Sequence, residues 1–154
     1  MRLLEILDRD GVASALEARD RASVLDELAK LVAKRVGGDA TAEIFRQRLL
    51  DREKDHSTGI GHGVAVPHGR APEVERLMAI VGRTRSPIEF GAMDRRPVRL
   101  FFVLAAPENR PTEHLKALSR IAKLLKSEPL RNRLFEAPDS ETMFAALQEA
   151  DGKD

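Results

Sequence analysis

Cysteine is absent from this 154-residue chain. Disulfides, thiolate metal sites, iron–sulfur clusters and cysteine nucleophiles are excluded with it, and the inventory suits a reducing, cytoplasmic setting. Tryptophan and tyrosine are also missing, and 6 phenylalanines make up the whole aromatic content. Single-stranded nucleic-acid binders stack bases on aromatic platforms, so no nucleic-acid partner is expected. Net charge is nearly nil, with 26 Lys and Arg against 25 Asp and Glu giving +1. No global field favours nucleic acid or an anionic membrane, so charge effects must be local. No apolar run approaches the ~20 residues of a membrane span, and Met1 to Glu5 meets acids too early for a signal peptide. Membrane insertion is not expected.

What is present suits one hydrophobic core. Apolar residues make up 42% and charged residues 33% of the chain, which is enough to bury a core and keep the surface solvated. A single domain over residues 1–154 is the expectation. Ser23 with Asp26 resembles a capping pair, followed by Leu25, Leu28, Ala29, Val32 and Val36 at helical spacing until Gly37-Gly38. A second helix is expected from about Asp39 or Thr41 to Arg52-Glu53, with Phe45 and Leu49 inward and Arg52 beside the buried face. Val64 to Val66, Leu77 to Val81, Ile88 to Phe90 and Val98 to Ala105 read as strands, the last buried on both faces. After Pro107, Asn109 or Thr112 is placed to cap a helix with Leu115, Leu118, Ala122 and Leu125 as its stripe. Two shorter helices should start near Ser127 and Asp139. Helices, then strands, then helices imply an α/β fold, a single-domain mixed β-sheet flanked by helices, without the regular alternation of a doubly wound domain.

The four histidines are His56, His62, His68 and His114. Three fall in or beside "STGIGHGVAVPHGR", but neither six-residue turns nor strand alternation converge all three on one metal and no carboxylate stands at a familiar ligand spacing, so a zinc-dependent hydrolase on His56, His62 and His68 is the weakest alternative. His56 reads best as a surface residue. His68 follows a strand and a proline and precedes Gly69, where a rigid element should hand the chain to a loop. His114 precedes Leu118 by four and Ile121 by seven, on the inward edge of its helix and in its first turn, where the positive end of the helix favours an anion. "GIGHG" leads into a strand and lacks Gly-Lys-Ser/Thr, so it is neither a dinucleotide fingerprint nor a P-loop. Lys116, Arg120 and Lys123 recur at helical spacing, either as a solvated face or as a docking surface for an acidic partner.

The stretch "REKDHSTGIGHGVAVPHGR" from Arg52 to Arg70, with "PIEF", "PVRLFFVLAAP" and "TEHLKALSRIAKLL", resembles the IIA proteins of the phosphoenolpyruvate-dependent sugar phosphotransferase system. The similarity is to the fructose/mannitol branch, and within it to the stand-alone nitrogen-regulatory IIA proteins, over nearly the whole chain. The resemblance implies that His68 in "PHG" accepts a phosphoryl group from HPr or its nitrogen-branch paralogue. It also implies that His114 in "T-x-H-L" and Arg52 in "R-E" complete the active site. Many relatives carry Asn where this chain has His62. Ser57, Thr58, Gly59, Gly61, His62 and Gly69 are expected to shape the phosphate pocket, with Lys116, Arg120 and Lys123 docking the partner. No metal or cofactor is called for, because a neutral imidazole can attack phosphorus directly and preordered donors can hold the three oxygens. Regulatory targets, or a separate IIB protein serving sugar uptake, would be the further partners. The ring nitrogen that carries the group is left open by the sequence.

Overall fold

The computed structural model describes residues 1–153. Two 3-10 turns, Leu3–Glu5 and Arg9–Gly11, lead into β1 (Val12–Leu16), α1 (Arg21–Val36) and α2 (Asp39–Asp55). The glycine-rich segment forms β2 (Gly59–Gly61), β3 (Val64–Ala65) and β4 (His68–Ala71), followed by β5 (Met78–Ile88) and β6 (Val98–Pro107). Helices α3 (His114–Leu124), α4 (Glu128–Glu136) and α5 (Ser140–Gly152) complete the chain.

One mixed sheet runs in the order β1-β5-β6-β3-β2, with β4 also on β6. To one side of β6 lies antiparallel β5, with β1 parallel to β5 beyond it, and β3 and β4 follow one another along the other edge of β6, both parallel to it. This is the mixed sheet flanked by helices that the sequence implies. β6 is the buried strand that its unbroken apolar run requires. Leu100, Phe102, Leu104 and Ala106 enter the core layer shared with α3, α4 and α5. Phe101, Val103 and Ala105 enter the layer shared with α1 and α2.

Several boundaries differ from the sequence reading. α1 starts one turn early, because Asp20 is its cap: the Asp20 carboxylate accepts from Ser23 N at 2.8 Å while Ser23 Oγ accepts from Asp20 N. Residues 77–81 and 88–90 are not two strands, since β5 runs through to Ile88 with a register shift after Arg83. Neither Asn109 nor Thr112 caps α3, whose first residue is His114 after Glu113. Its buried stripe is Ala117, Ile121 and Leu124, and Leu115 is 55% exposed. β1 lacks the alternation that would have marked it, because it reads as a short Ala- and Ser-containing run.

The chain ends are tied by one buried pair. Arg120 on α3 binds Asp151 on α5 at 2.8 Å, with side chains 9% and 3% exposed. Asp151 also accepts from Leu3 N and Leu4 N at 2.9 and 3.0 Å, so one carboxylate fixes the first turn, α3 and α5 together. Burial favours protonation of this carboxyl, but the two amides and the guanidinium outweigh it and hold its pKa low. Asp151→Ala should strand a buried guanidinium and two amides, lowering unfolding free energy by about 3–5 kcal/mol. Urea unfolding checks this, and a loss below about 1 kcal/mol would show the pair to be dispensable.

Candidate functional site

At the edge of the sheet, α2, β4 and the start of α3 enclose a cavity of about 320 Å³ lined by Arg48, Arg52, His68, Gly69, Arg70, Pro111 and His114. His68 is the first residue of β4, paired in register with Leu104, so it stands on a strand where the sequence suggested a loop. Strand alternation points His68 and Arg70 to one face and Gly69 to the other. A Cβ on Gly69 would stand 3.3 Å from Arg48 Cβ and 3.4 Å from Phe45 Cε1. Gly69 thus lets β4 approach α2 closely, which brings Arg48 and Arg52, one turn apart on α2, to the cavity rim.

The two imidazoles stack, with ring centroids 5.1 Å apart and planes inclined by 23°. His68 Nδ1 lies 3.0 Å from the Val66 carbonyl. A carbonyl only accepts, so Nδ1 carries the proton and Nε2 keeps its lone pair. Arg52 Nε donates to that Nε2 at 3.3 Å, and Arg52 Nη1 is anchored on the His56 carbonyl at 2.7 Å. Burial lowers the pKa of His68 from the ordinary 6.5, the Arg52 guanidinium and His114 push the same way, and the Val66 bond opposes them. His114 is lowered by burial first, then by the Arg70 and Arg52 guanidiniums. Two neutral rings can therefore sit among cations in a cleft without a buried unpaired imidazolium.

Of the six residues expected to shape the pocket only Gly69 lines the cavity, and the other five act from a distance or lie elsewhere. Thr58 is buried, with its amide donating to both Glu53 carboxylate oxygens at 3.1 and 3.2 Å and its hydroxyl to Oε1. Its carbonyl accepts from Val66 N at 2.9 Å. An unbroken chain of bonds thus runs from Glu53 through Thr58 and Val66 to His68. Ser57 Oγ accepts from Gly59 N at 3.1 Å and shapes this loop. Gly59 packs on Ala92, where a Cβ would stand 2.6 Å from Ala92 Cβ. Gly61, His62 and Gly63 form the β2–β3 hairpin turn, with φ of 91°, 58° and 79°. A two-residue hairpin of this hand needs left-handed backbone at both central positions, and Asn, Asp and His tolerate it best outside glycine. His62 is therefore at a conformational position, away from the cavity.

His56, His62 and His68 do not converge. His56 lies in a separate cleft with Arg21 and Ser57, His62 is on the hairpin turn, and among the described residues no group of three metal-ligating side chains is assembled. The basic stripe is also modified: Lys116, Arg120 and Lys123 share one cleft with Met1 and Arg2, but the Arg120 guanidinium is engaged by Asp151. Arg48, Arg70 and Pro111 were not anticipated. The signals for the two arginines are there: Arg70 follows His68 by two on a strand, and Arg48 precedes Arg52 by four on a helix.

The family model for "Phosphoenolpyruvate-dependent sugar phosphotransferase system, EIIA 2" matches residues 5–150. The chain belongs to this EIIA type-2 family. It is similar to a nitrogen regulatory protein of Bradyrhizobium diazoefficiens, 36% identical over 147 residues, covering 96% of this chain and 95% of the relative. It is also 30% identical to the fructose-specific EIIABC component of Bacillus subtilis, over 98% of this chain and 24% of that longer protein. Among solved structures, nitrogen regulatory IIA-Ntr of Neisseria meningitidis superposes with a TM-score of 0.83 at 34% identity, covering 93% of this chain and 97% of that one. The mannitol IIA of Escherichia coli shares the fold, with a TM-score of 0.77 at 23% identity. Among the described residues no helix of this EIIA chain is long and apolar enough to cross a membrane.

Both pocket histidines should titrate below the ordinary 6.5, as their lowered pKa values require. Because the unfolded chain takes up these protons first, stability that is complete above about pH 6.5 should decline as pH falls from there toward the folded values. Carbon-13 or nitrogen-15 NMR titration of the rings checks this, and midpoints at or above 6.5 would contradict the geometry.

Proposed function

We propose that residues 1–154 act as one phosphocarrier unit in which His68 Nε2 accepts a phosphoryl group from a phosphohistidine of HPr or its nitrogen-branch paralogue. The observation that carries this reading is the contact of Nδ1 with the Val66 carbonyl, which leaves Nε2 to Arg52 in the open cavity that His114 also lines. In the transfer, the Nε2 lone pair forms a new N–P bond as the donor's N–P bond breaks and its electron pair returns to the donor nitrogen. The Nδ1 proton stays in place. The phosphorylated ring is then an imidazolium whose charge faces the Val66 oxygen, which keeps the N–P bond labile enough for onward transfer. Arg52 leaves its long bond to Nε2 for the phosphoryl oxygens, where a planar guanidinium holds two oxygens at once. His114, neutral and at the positive end of α3, donates from the opposite side. Ser57, Thr58, Gly59 and Gly69 support this pocket through the loop and strand packing.

The biological role we propose is regulatory. Support comes from the relatives named as nitrogen regulatory proteins, which this chain matches over nearly their full length. The phosphoryl group would add about −1.5 to −2 charges at the cavity where α3 begins, redirecting an acidic partner protein that docks on the exposed Leu115 and the Lys116–Lys123 face of the same helix. The second reading, supply of phosphate to a IIB protein for sugar uptake, draws on the similarity to the fructose-specific component. A cytoplasmic setting fits both.

Incubation with phosphoenolpyruvate, the first enzyme of the system and HPr should give an acid-labile label on the wild type and none on His68→Ala. Retained label on that variant would overturn the assignment. Arg52→Ala and His114→Ala should each slow transfer by ~100- to 1000-fold, the cost of losing one charge-stabilising donor. Undiminished rates in a stopped-flow assay would remove them from the mechanism. Phosphorylated protein that transfers to a IIB domain yet captures the same regulatory partners as the unmodified protein would favour the sugar route.

A further inference from the structure

Three guanidiniums line the cavity, one more pair than the Arg52 mechanism uses. Their engagements differ. Arg48 is already neutralised, since its Nη1 binds the Glu108 carboxylate at 2.7 Å and the Arg70 carbonyl at 3.2 Å. Arg52 is divided between His68 Nε2 and the His56 carbonyl. Arg70 is held least: its one side-chain hydrogen bond among the described residues runs from Nη1 to the Glu108 carbonyl at 3.3 Å.

Position and charge both point Arg70 at the reacting group. It follows His68 by two on β4, so the two side chains leave the same face of the strand about 7 Å apart at their bases, within the span of an arginine side chain. Three guanidiniums against the single Glu108 carboxylate leave two positive charges at the cavity, matching a phosphoryl group of about −1.5 to −2. A charge-assisted bond to a phosphoryl oxygen is roughly twice as strong as a neutral one, so the long bond to the Glu108 carbonyl is readily exchanged for it.

We propose that Arg70 is a catalytic residue that supplies a second guanidinium to the phosphoryl group, closing on it from the His114 side while Arg52 holds it from the His68 side. Glu108 keeps Arg48 out of this role, and its carbonyl parks Arg70 at the rim until the phosphoryl group arrives. The proposal rests on phosphoryl acceptance by His68, as set out above.

Phosphoramidate, a small N–P donor that transfers its phosphoryl group to imidazole and releases ammonia, tests this without a docking partner. Wild type, Arg70→Gln and Arg70→Lys are compared for initial labelling rate, with phosphohistidine located by mass spectrometry. Arg70→Gln should label His68 at least about 10-fold more slowly, less than the ~100- to 1000-fold of a fully enclosed donor because Arg70 is exposed to solvent and salt. Arg70→Lys should recover part of the rate by restoring the charge. The His114 titration midpoint should rise in Arg70→Gln and not in Arg70→Lys, a shift that loss of a merely structural contact would not produce. Equal labelling of His68 in wild type and Arg70→Gln would overturn the Arg70 assignment alone. Labelling of the wild type at a residue other than His68, or none, would overturn the phosphocarrier reading and this proposal with it.

Discussion

The hydrogen bond from His68 Nδ1 to the Val66 carbonyl is the contact on which the rest of the site depends. It fixes the tautomer, sets the ring plane and leaves one nitrogen with a free lone pair. Its acceptor is itself held, because the Val66 amide donates to the Thr58 carbonyl while the Thr58 amide and hydroxyl bind the buried Glu53 carboxylate. Glu53 is the next residue after Arg52 and also receives Arg21, at 3.5 Å from Oε2 and through its carbonyl at 2.9 Å. One turn of α2 thus places both the guanidinium above His68 and the carboxylate that steadies the loop below it. The "RE" pair and the "STG" segment read as one positioning device, with the chemistry confined to the cavity side.

Electrostatics explain how cations and imidazoles share this cavity. Cations and imidazoles crowd together only because the rings stay neutral, and burial together with the flanking guanidiniums keeps them so. Glu108 offsets one arginine from outside the cavity, its carboxyl held low by the bond to Arg48. The remaining positive charge is an arrangement suited to a ligand that brings two negative charges. Under the proposed chemistry the donors already line the cavity and only the long bonds of Arg52 and Arg70 are exchanged on transfer, so reorganisation stays small, which is where most electrostatic stabilisation arises.

Much of this was legible in the residues, for identifiable reasons. The unbroken apolar run of β6 announced a strand buried on both faces, and the spacing of His114 to Ile121 placed that histidine on the inner edge of α3. Gly37 marked the end of α1 with a left-handed backbone at φ 87°. The failures are equally specific. Pro67 breaks the apolar run and makes β4 read as loop, yet β3 and β4 pair with β6 on either side of the break. Leucine is usually buried, so α3 reads with Leu115 inward, but the helix phase is set by Ala117, Ile121 and Leu124. Arg48 and Arg70 escaped notice because an arginine beside a polar motif reads as surface, and only tertiary packing at Gly69 brings α2 to the strand. His62 looked chemical from its neighbours, whereas its φ of 58° shows a turn requirement.

The central claim is that His68 offers Nε2 because Nδ1 is occupied by Val66. Nitrogen-15 and phosphorus-31 NMR of the protein phosphorylated with phosphoramidate tests it most directly. The account predicts a phosphorus coupling on His68 Nε2 and a proton retained on Nδ1. A phosphorus bond to Nδ1, with the Val66 contact broken, would contradict it.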